Sequence, residues 1–323
     1  MTATRDTSDV TLAIDLGGTN LRLALISRDG SIIARLRRPT CVTGGLSAFV
    51  DGLGSAIEEL RTEALCRHRT ILAIGAGVPG LVNGAGLLHK AVNLPFLDGL
   101  NINDLLLTTA GLPAVTANDA NAAAVGELRF GAGRPFSSFL LFTLGTGVGS
   151  GLILNGALWT GHDGIASEFG HATVEPAGVP CPCGNRGCLE QYASASALLT
   201  EARQQLDAGT TSILAETDRE MLTAESVGQA AAQGDPLALQ LLARAGRYLG
   251  QAAATAVNLL NLEAFILTGG MAVSFPYIAP AMEAELKARA FPAATKRVRV
   301  LPGTLGDDAG LLGMAALAWD KGV

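Results

Sequence analysis

An apolar strand, a glycine-rich turn, a return strand and a tight hairpin occur in that order twice in this chain, and few folds call for such a pair. The first copy is Val10–Leu16, Gly17-Gly18-Thr19-Asn20 and Leu21–Ser27, with Asp29-Gly30 turning the chain into a third strand, Ser31–Arg37. The second is Phe139–Leu144, Gly145-Thr146-Gly147-Val148-Gly149 and Gly151–Leu154, with Asn155-Gly156 leading into Ala157–Thr160. Asp-Gly and Asn-Gly are strong hairpin signals between such strands. Asp15-Leu16-Gly17 aligns with Thr143-Leu144-Gly145, so the chain reads as a duplicated unit. Backbone N–H groups can face a phosphate closely only where no Cβ intrudes. Each half is therefore expected to carry one phosphate-holding turn, the alternative being two unrelated hairpins that happen to be rich in glycine.

The rest of the chain alternates helices with strands. Helices are expected at Leu46–Leu65, Ala120–Phe130, from Asp235-Pro236 to about Ala256, and at Asp308–Trp319; strands at Thr70–Gly75, Val115–Ala117 and Ala264–Thr268. That alternation implies an α/β fold with mixed sheets. At 323 residues the chain is long for one core, and 49% hydrophobic against 16% charged residues is ample for two. The expected domains are 1–118, completed by the helix at about 308–323, and 119–307, with a cleft near Asn118.

Several classes are excluded. The most apolar stretches, around Phe139–Leu154 and Leu259–Val273, are broken by Gly, Thr and Asn, so they read as buried strands and not membrane spans. A net charge of -6 without a basic cluster beyond Arg35–Arg38 argues against a nucleic-acid surface. The opening MTATRDTSDV lacks a basic-then-apolar export pattern. With five cysteines, an odd number, the expected compartment is the reducing cytoplasm.

Three of those cysteines cluster. His171 precedes Cys181, Cys183 and Cys188 in the run Cys-Pro-Cys-Gly-Asn-Arg-Gly-Cys, and one imidazole with three thiolates makes a closed tetrahedral zinc set. Gly184 and Gly187 supply the turns of such a knuckle; the alternative is three unpaired buried thiols. Zinc on one ring nitrogen of His171 would leave the other aimed at a ligand. Glu168, His171 and Glu190 flank the cluster and can grip a polyol, since each carboxylate accepts from two adjacent hydroxyls. Asn118-Asp119-Ala120-Asn121 opens an Ala-rich helix, where Asn and Asp are ordinary caps. A carboxylate there is also kept ionised by the helix N-terminus, which suits a base in phosphoryl transfer. Gly75-Ala76-Gly77-Val78-Pro79-Gly80 matches a dinucleotide fingerprint in spacing, but the turn-rich Leu81-Val82-Asn83-Gly84 follows where a helix is required. That reading is rejected.

Together these motifs resemble the ROK family (repressors, open reading frames and sugar kinases) over nearly the whole chain. The marks are Asp15–Asn20, Asn93-Leu94-Pro95, Asn118–Asn121, the stretch Gly164-Ile165-Ala166-Ser167-Glu168-Phe169-Gly170-His171 and the cysteine run ending in Glu190. The resemblance implies a two-domain actin- and hexokinase-like fold that transfers phosphate from ATP to a hexose, glucose above all. It implies Asp119 as catalytic base and Asn93, Asn118, Asp119, Glu168, His171 and Glu190 as sugar ligands. It further implies Gly17, Gly18, Thr19 and Asn20 on the phosphates, Asp15 on Mg²⁺ through water, Thr146 and Gly147 as the second clamp, and Gly269-Gly270 by the adenosine. A homodimer follows from family tendency alone. Kinases for N-acetylglucosamine, N-acetylmannosamine, mannose or fructose share the same gripping residues, and a sugar sensor is the non-enzymatic alternative. An actin-like filament or chaperone ATPase would have no use for the cysteine knuckle or the gripping carboxylates. One departure stands out: Ser167 stands where the family pattern has glycine.

Overall fold

The structure is a computed structural model that describes residues 8–91 and 93–321. Of the opening segment read above for an export signal, residues 1–10, residues 1–7 lie outside the described set. The chain divides into two compact units, one formed by 1–134, 158–167 and 307–323, the other by 135–157 and 168–306.

The first unit holds strands β1 (Asp9–Leu16), β2 (Asn20–Ser27), β3 (Ile32–Pro39), β4 (Thr70–Val78), β5 (Gly80–Val82), β6 (Leu88–Ala91) and β7 (Ala114–Asn118). Its helices in the first stretch are α1 (Gly45–Cys66), α2 (Ile102–Ala110) and α3 (Asp119–Phe130). The second has β8 (Phe139–Leu144), β9 (Val148–Leu154), β10 (Ala157–Leu158), α4 (Glu190–Ala193), α5 (Ala195–Asp207), α6 (Ala224–Ala232) and α7 (Pro236–Leu260). It continues through β11 (Ala264–Thr268), α8 (Phe275–Arg289), α9 (Pro292–Thr295) and β12 (Arg299–Pro302), and the chain ends in α10 (Ala309–Asp320).

The duplication is explicit in the sheets. One runs β3-β2-β1-β4-β7 and the other β10-β9-β8-β11-β12. In each, a glycine turn joins the antiparallel pair, β1 with β2 and β8 with β9. Two parallel strands follow, β4 and β7 in the first sheet, β11 and β12 in the second. Parallel strands covered on both faces read as continuous apolar runs, and β8 and β11 are buried along nearly their whole length. Asn155 (φ 52°) and Gly156 (φ 75°) have the paired positive angles of a tight hairpin. Each unit has its own core. Phe142 stacks on Phe265 at 6.2 Å in the second, and Phe49 packs against Phe96 in the first.

The boundary expected at 118/119 is displaced: α3 stays with the first unit, and so does 158–167. The cause is helix packing. Gly313 of α10 lies so close to the Ala122 carbonyl of α3 that no Cβ fits, and Gly126 of α3 meets Ala309 of α10 in the same way. Glycines on both helices let two backbones approach within side-chain distance. The glycine run at 75–80 leads into strand β5 and not into a helix, in keeping with its rejection as a dinucleotide loop. No helix among the described residues is long and apolar enough to cross a membrane.

Candidate active site and metal centre

In the first unit the turn between β1 and β2 is closed by the Gly17 N–H donating to Asn20 O at 3.0 Å. Thr40 braces it, donating its N–H to Thr19 O (2.9 Å) and its hydroxyl to Gly17 O (2.6 Å). Asn93 lies against the turn, where its Cβ occupies the space a side chain at Gly18 would need. Asp15 faces Arg22 across the hairpin. Arg22 donates from Nε to Asp15 Oδ2 at 2.8 Å and from Nη2 to the same oxygen, while its Nη1 reaches Asp307 O at 3.1 Å. Arg22 escaped the sequence reading, although two residues equally far from a hairpin turn face one another and an opposite-charge pair there stabilises the sheet.

Asn118 is the N-cap of α3: its Oδ1 accepts from Ala120 N–H (2.9 Å) and Asn121 N–H (3.2 Å). Its amide nitrogen donates to Gly80 O at 3.1 Å, so one amide hydrogen is left for a ligand. The structural role that Asn commonly plays at this position is thus realised in full. Asp119 follows in the first turn, exposed, with Oδ1 accepting from the Ala120 N–H at 2.8 Å.

In the second unit a short 3₁₀ turn, Phe169–His171, follows Glu168, and side chains three apart in such a turn eclipse. Glu168 and His171 therefore share a side. Glu168 is exposed overall, yet lost hydration at its carboxyl is the main cause that raises its proton affinity; His171 opposes the rise and Glu190 adds to it. Both other candidate ligands thus act electrostatically on Glu168. Glu190 Oε2 accepts from Val148 N–H at 3.0 Å. The second glycine turn is closed by Gly145 N–H to Gly147 O at 3.0 Å, and Ala195 N–H donates to Gly145 O at 2.8 Å. Gly269 and Gly270 are exposed just after β11, and Gly269 packs against the Leu144 carbonyl at the end of β8.

Ser167 occupies the left-handed region (φ 72°), which explains the glycine of the family pattern. Replacement by glycine should relieve about 1 kcal/mol of strain and raise the urea midpoint of unfolding. A lowered midpoint would show that the buried Ser167 hydroxyl contributes more than the strain costs.

The ligand atoms of His171, Cys181, Cys183 and Cys188 all lie within 4.8 Å of one another. His171 Nδ1 is 3.7 Å from Cys181 Sγ, and Cys183 Sγ is 3.7 Å from Cys188 Sγ. Tetrahedral zinc with Zn–S near 2.3 Å demands S···S edges of about 3.8 Å and S···N edges of about 3.6 Å, and those two edges match it. Gly184 (φ 95°) and Gly187 (φ 69°) make the turns. Asn185 Nδ2 lies 3.4 Å from Cys188 Sγ, and Gln191 Nε2 is 3.7 Å from Cys181 Sγ, N–H groups of the kind that orient thiolate ligands. Burial first, then the neighbouring thiols, pushes the Cys188 thiol up to about 12. A cation would reverse that trend.

The sequence profile of the ROK family matches residues 11–321. The chain belongs to the ROK family. Among ROK relatives, a glucokinase of Halalkalibacterium halodurans is 34% identical over 306 residues, 94% of this chain and 92% of the relative. An N-acetylmannosamine kinase of Escherichia coli is also 34% identical, over 95% of this chain and 98% of its own. Among solved structures, a ROK glucokinase from Streptomyces griseus in complex with glucose and AMPPNP superposes with TM-score 0.82 at 31% identity, covering 96% of this chain and 99% of that one. A ROK transcriptional regulator, homolog of the E. coli MLC protein, gives TM-score 0.88 at 27% identity over 96% of this chain and 78% of the regulator. The fold is that of the actin- and hexokinase-like kinases of this family.

Proposed function

We propose that this ROK protein is an ATP-dependent hexose kinase acting on the C6 hydroxyl, with glucose the favoured acceptor. The observation that carries the reading is the pair of like sheets, each with a glycine turn at the same junction. Likeness to a glucokinase structure holding glucose and AMPPNP supports it. In the first turn Gly17 uses its N–H on Asn20 O, so Gly18 and Thr19 are the better phosphate donors, Asn20 flanks them, and Gly17 shapes the turn. In the second, Gly145 and Val148 N–H groups are engaged within the protein, which favours Thr146 and Gly147. Gly269-Gly270 stand beside that turn for the adenosine. Asp15 would hold Mg²⁺, a hard cation that suits its carboxylate and would supply neutralisation of phosphate charge. Both bonds from Arg22 to Asp15 land on Oδ2, so Oδ1 is the oxygen that would face a hydrated cation. Asn93, Asn118 and Asp119 of the first unit are assigned to sugar hydroxyls, and so are Glu168, His171 and Glu190 of the second. His171 would hold zinc through Nδ1 and donate from Nε2.

The identity to an N-acetylmannosamine kinase equals that to a glucokinase, which makes an N-acetylhexosamine the second candidate acceptor. A coupled assay over hexoses and N-acetylhexosamines with ATP and Mg²⁺ separates the two. Turnover with none of them would favour a sugar sensor instead.

Glu168→Ala tests the grip. A charge-assisted hydrogen bond contributes roughly 1.5–3 kcal/mol, so KM for the sugar should rise about tenfold or more. Direct titration should show ATP affinity unchanged, because Glu168 makes no bond to either glycine turn among those described. An unaltered sugar KM would remove Glu168 from the site.

A further inference from the structure

The resemblance to the family gives Glu190 a single task, holding the sugar. Its surroundings give it another. Oε2 accepts from the N–H of Val148, the first residue of β9, at 3.0 Å, and the same oxygen fills the space that a Cβ at Gly147 would take. The other bonds that fix the turn, Gly145 N–H to Gly147 O and Ala195 N–H to Gly145 O, are backbone to backbone. Glu190 thus supplies the charged acceptor, and hydrogen bonds to an ionised acceptor are roughly twice as strong as neutral ones. A turn with glycine at two of its three residues has unusual freedom to relax once such a bond is lost.

Glu190 itself is firmly mounted. It follows the fully buried Leu189, whose N–H donates to Ala172 O at 2.9 Å, and the next residue, Gln191, donates its N–H to Cys188 O at 3.0 Å. The cysteine knuckle is therefore the pedestal of α4. A carboxylate offers about four lone-pair sites on its two oxygens, so holding Val148 through Oε2 leaves Oε1 for a sugar hydroxyl.

We propose that Glu190 is the positioning residue of the second phosphate turn, and that one carboxylate serves both the phosphate clamp and the acceptor grip. This rests on the kinase reading above. Glu190 then influences nucleotide binding even when no sugar is present, whereas Glu168 does not.

The test is sugar-free calorimetric titration of AMPPNP with Mg²⁺ into the wild-type chain and the variants Glu190→Ala, Glu190→Gln and Glu168→Ala, with melting midpoints recorded alongside. The alanine variant at Glu190 should bind the nucleotide about five- to tenfold more weakly. Glutamine keeps an acceptor oxygen for Val148 and should recover to within about twofold, while Glu168→Ala should match wild type. A folded Glu190→Ala with wild-type nucleotide affinity overturns the proposal. Should that variant fail to fold, Gly147→Ala reports on the same contact by pushing a Cβ against Oε2. It should weaken both AMPPNP and, in a separate titration, sugar; weakening of the nucleotide alone overturns the link. A wild-type chain that binds no AMPPNP removes the kinase reading together with this inference, whereas equal binding by all variants removes the inference alone.

Discussion

Asp119→Asn should lower the turnover number by roughly 10²–10⁴ while sugar affinity, measured by calorimetry, changes far less. Phosphoryl transfer asks the protein mainly to position its reactants and neutralise charge. The one proton that has to leave is on the attacking hydroxyl, and Asp119 is the carboxylate assigned to take it. Its placement is set by the cap beside it. Asn118 Oδ1 receives two N–H groups of the first turn of α3 and its amide is tied to Gly80 O, so the junction between β7 and α3 has little freedom. Asparagine at 119 preserves the size and the acceptor for the Ala120 N–H but cannot take a proton. If the variant keeps more than about a tenth of wild-type turnover, Asp119 is an element of the helix start and the base lies elsewhere.

The two hairpin copies were legible because apolar strands, Asp-Gly and Asn-Gly turns and internal repetition each point the same way. The hairpin at Asn155-Gly156 and strand Ala264–Thr268 fall where their residues say they should. The division of the chain was not legible. Whether α3 belongs with the first or the second unit depends on Gly126 and Gly313 meeting the backbones of partners far away in sequence, and no local pattern records that. The short helix α2 and the strand β12 were missed, being brief elements of nine and four residues. The glycine turns show a related limit. Sequence marks Gly17, Gly145 and Gly147 as equals, yet the N–H groups of Gly17 and Gly145 close their turns and that of Val148 is held by Glu190. Asp15 likewise reads as a lone carboxylate until the register of β1 on β2 sets Arg22 opposite it. The cysteine cluster was the most legible feature, since its ligands lie so close in the chain that few backbone paths can separate them.

Metal analysis of protein purified without chelator should find one zinc per chain, and its removal should have the largest effect on stability of any change considered. Structural zinc of this kind contributes on the order of 10 kcal/mol to local folding, comparable with the whole stability of an ordinary domain. The knuckle between Ala172 and Leu189 is held otherwise by a few bonds, among them Val174 N–H to Gly187 O, Cys181 N–H to Asn185 O and Leu189 N–H to Ala172 O. Cys183 is exposed and Cys188 buried, so Cys183→Ser removes one ligand with little loss of packing and isolates the metal's contribution. The variant should bind zinc weakly, melt lower, and lose sugar affinity, because His171 is assigned to both zinc and sugar and Glu190 lies two residues after Cys188. Nucleotide affinity should weaken as well if Glu190 positions the second phosphate turn as proposed. Less than about a tenth of an equivalent of zinc in active wild-type protein would rule out the metal and leave three closely packed thiols, in which case Cys183→Ser should behave almost as wild type.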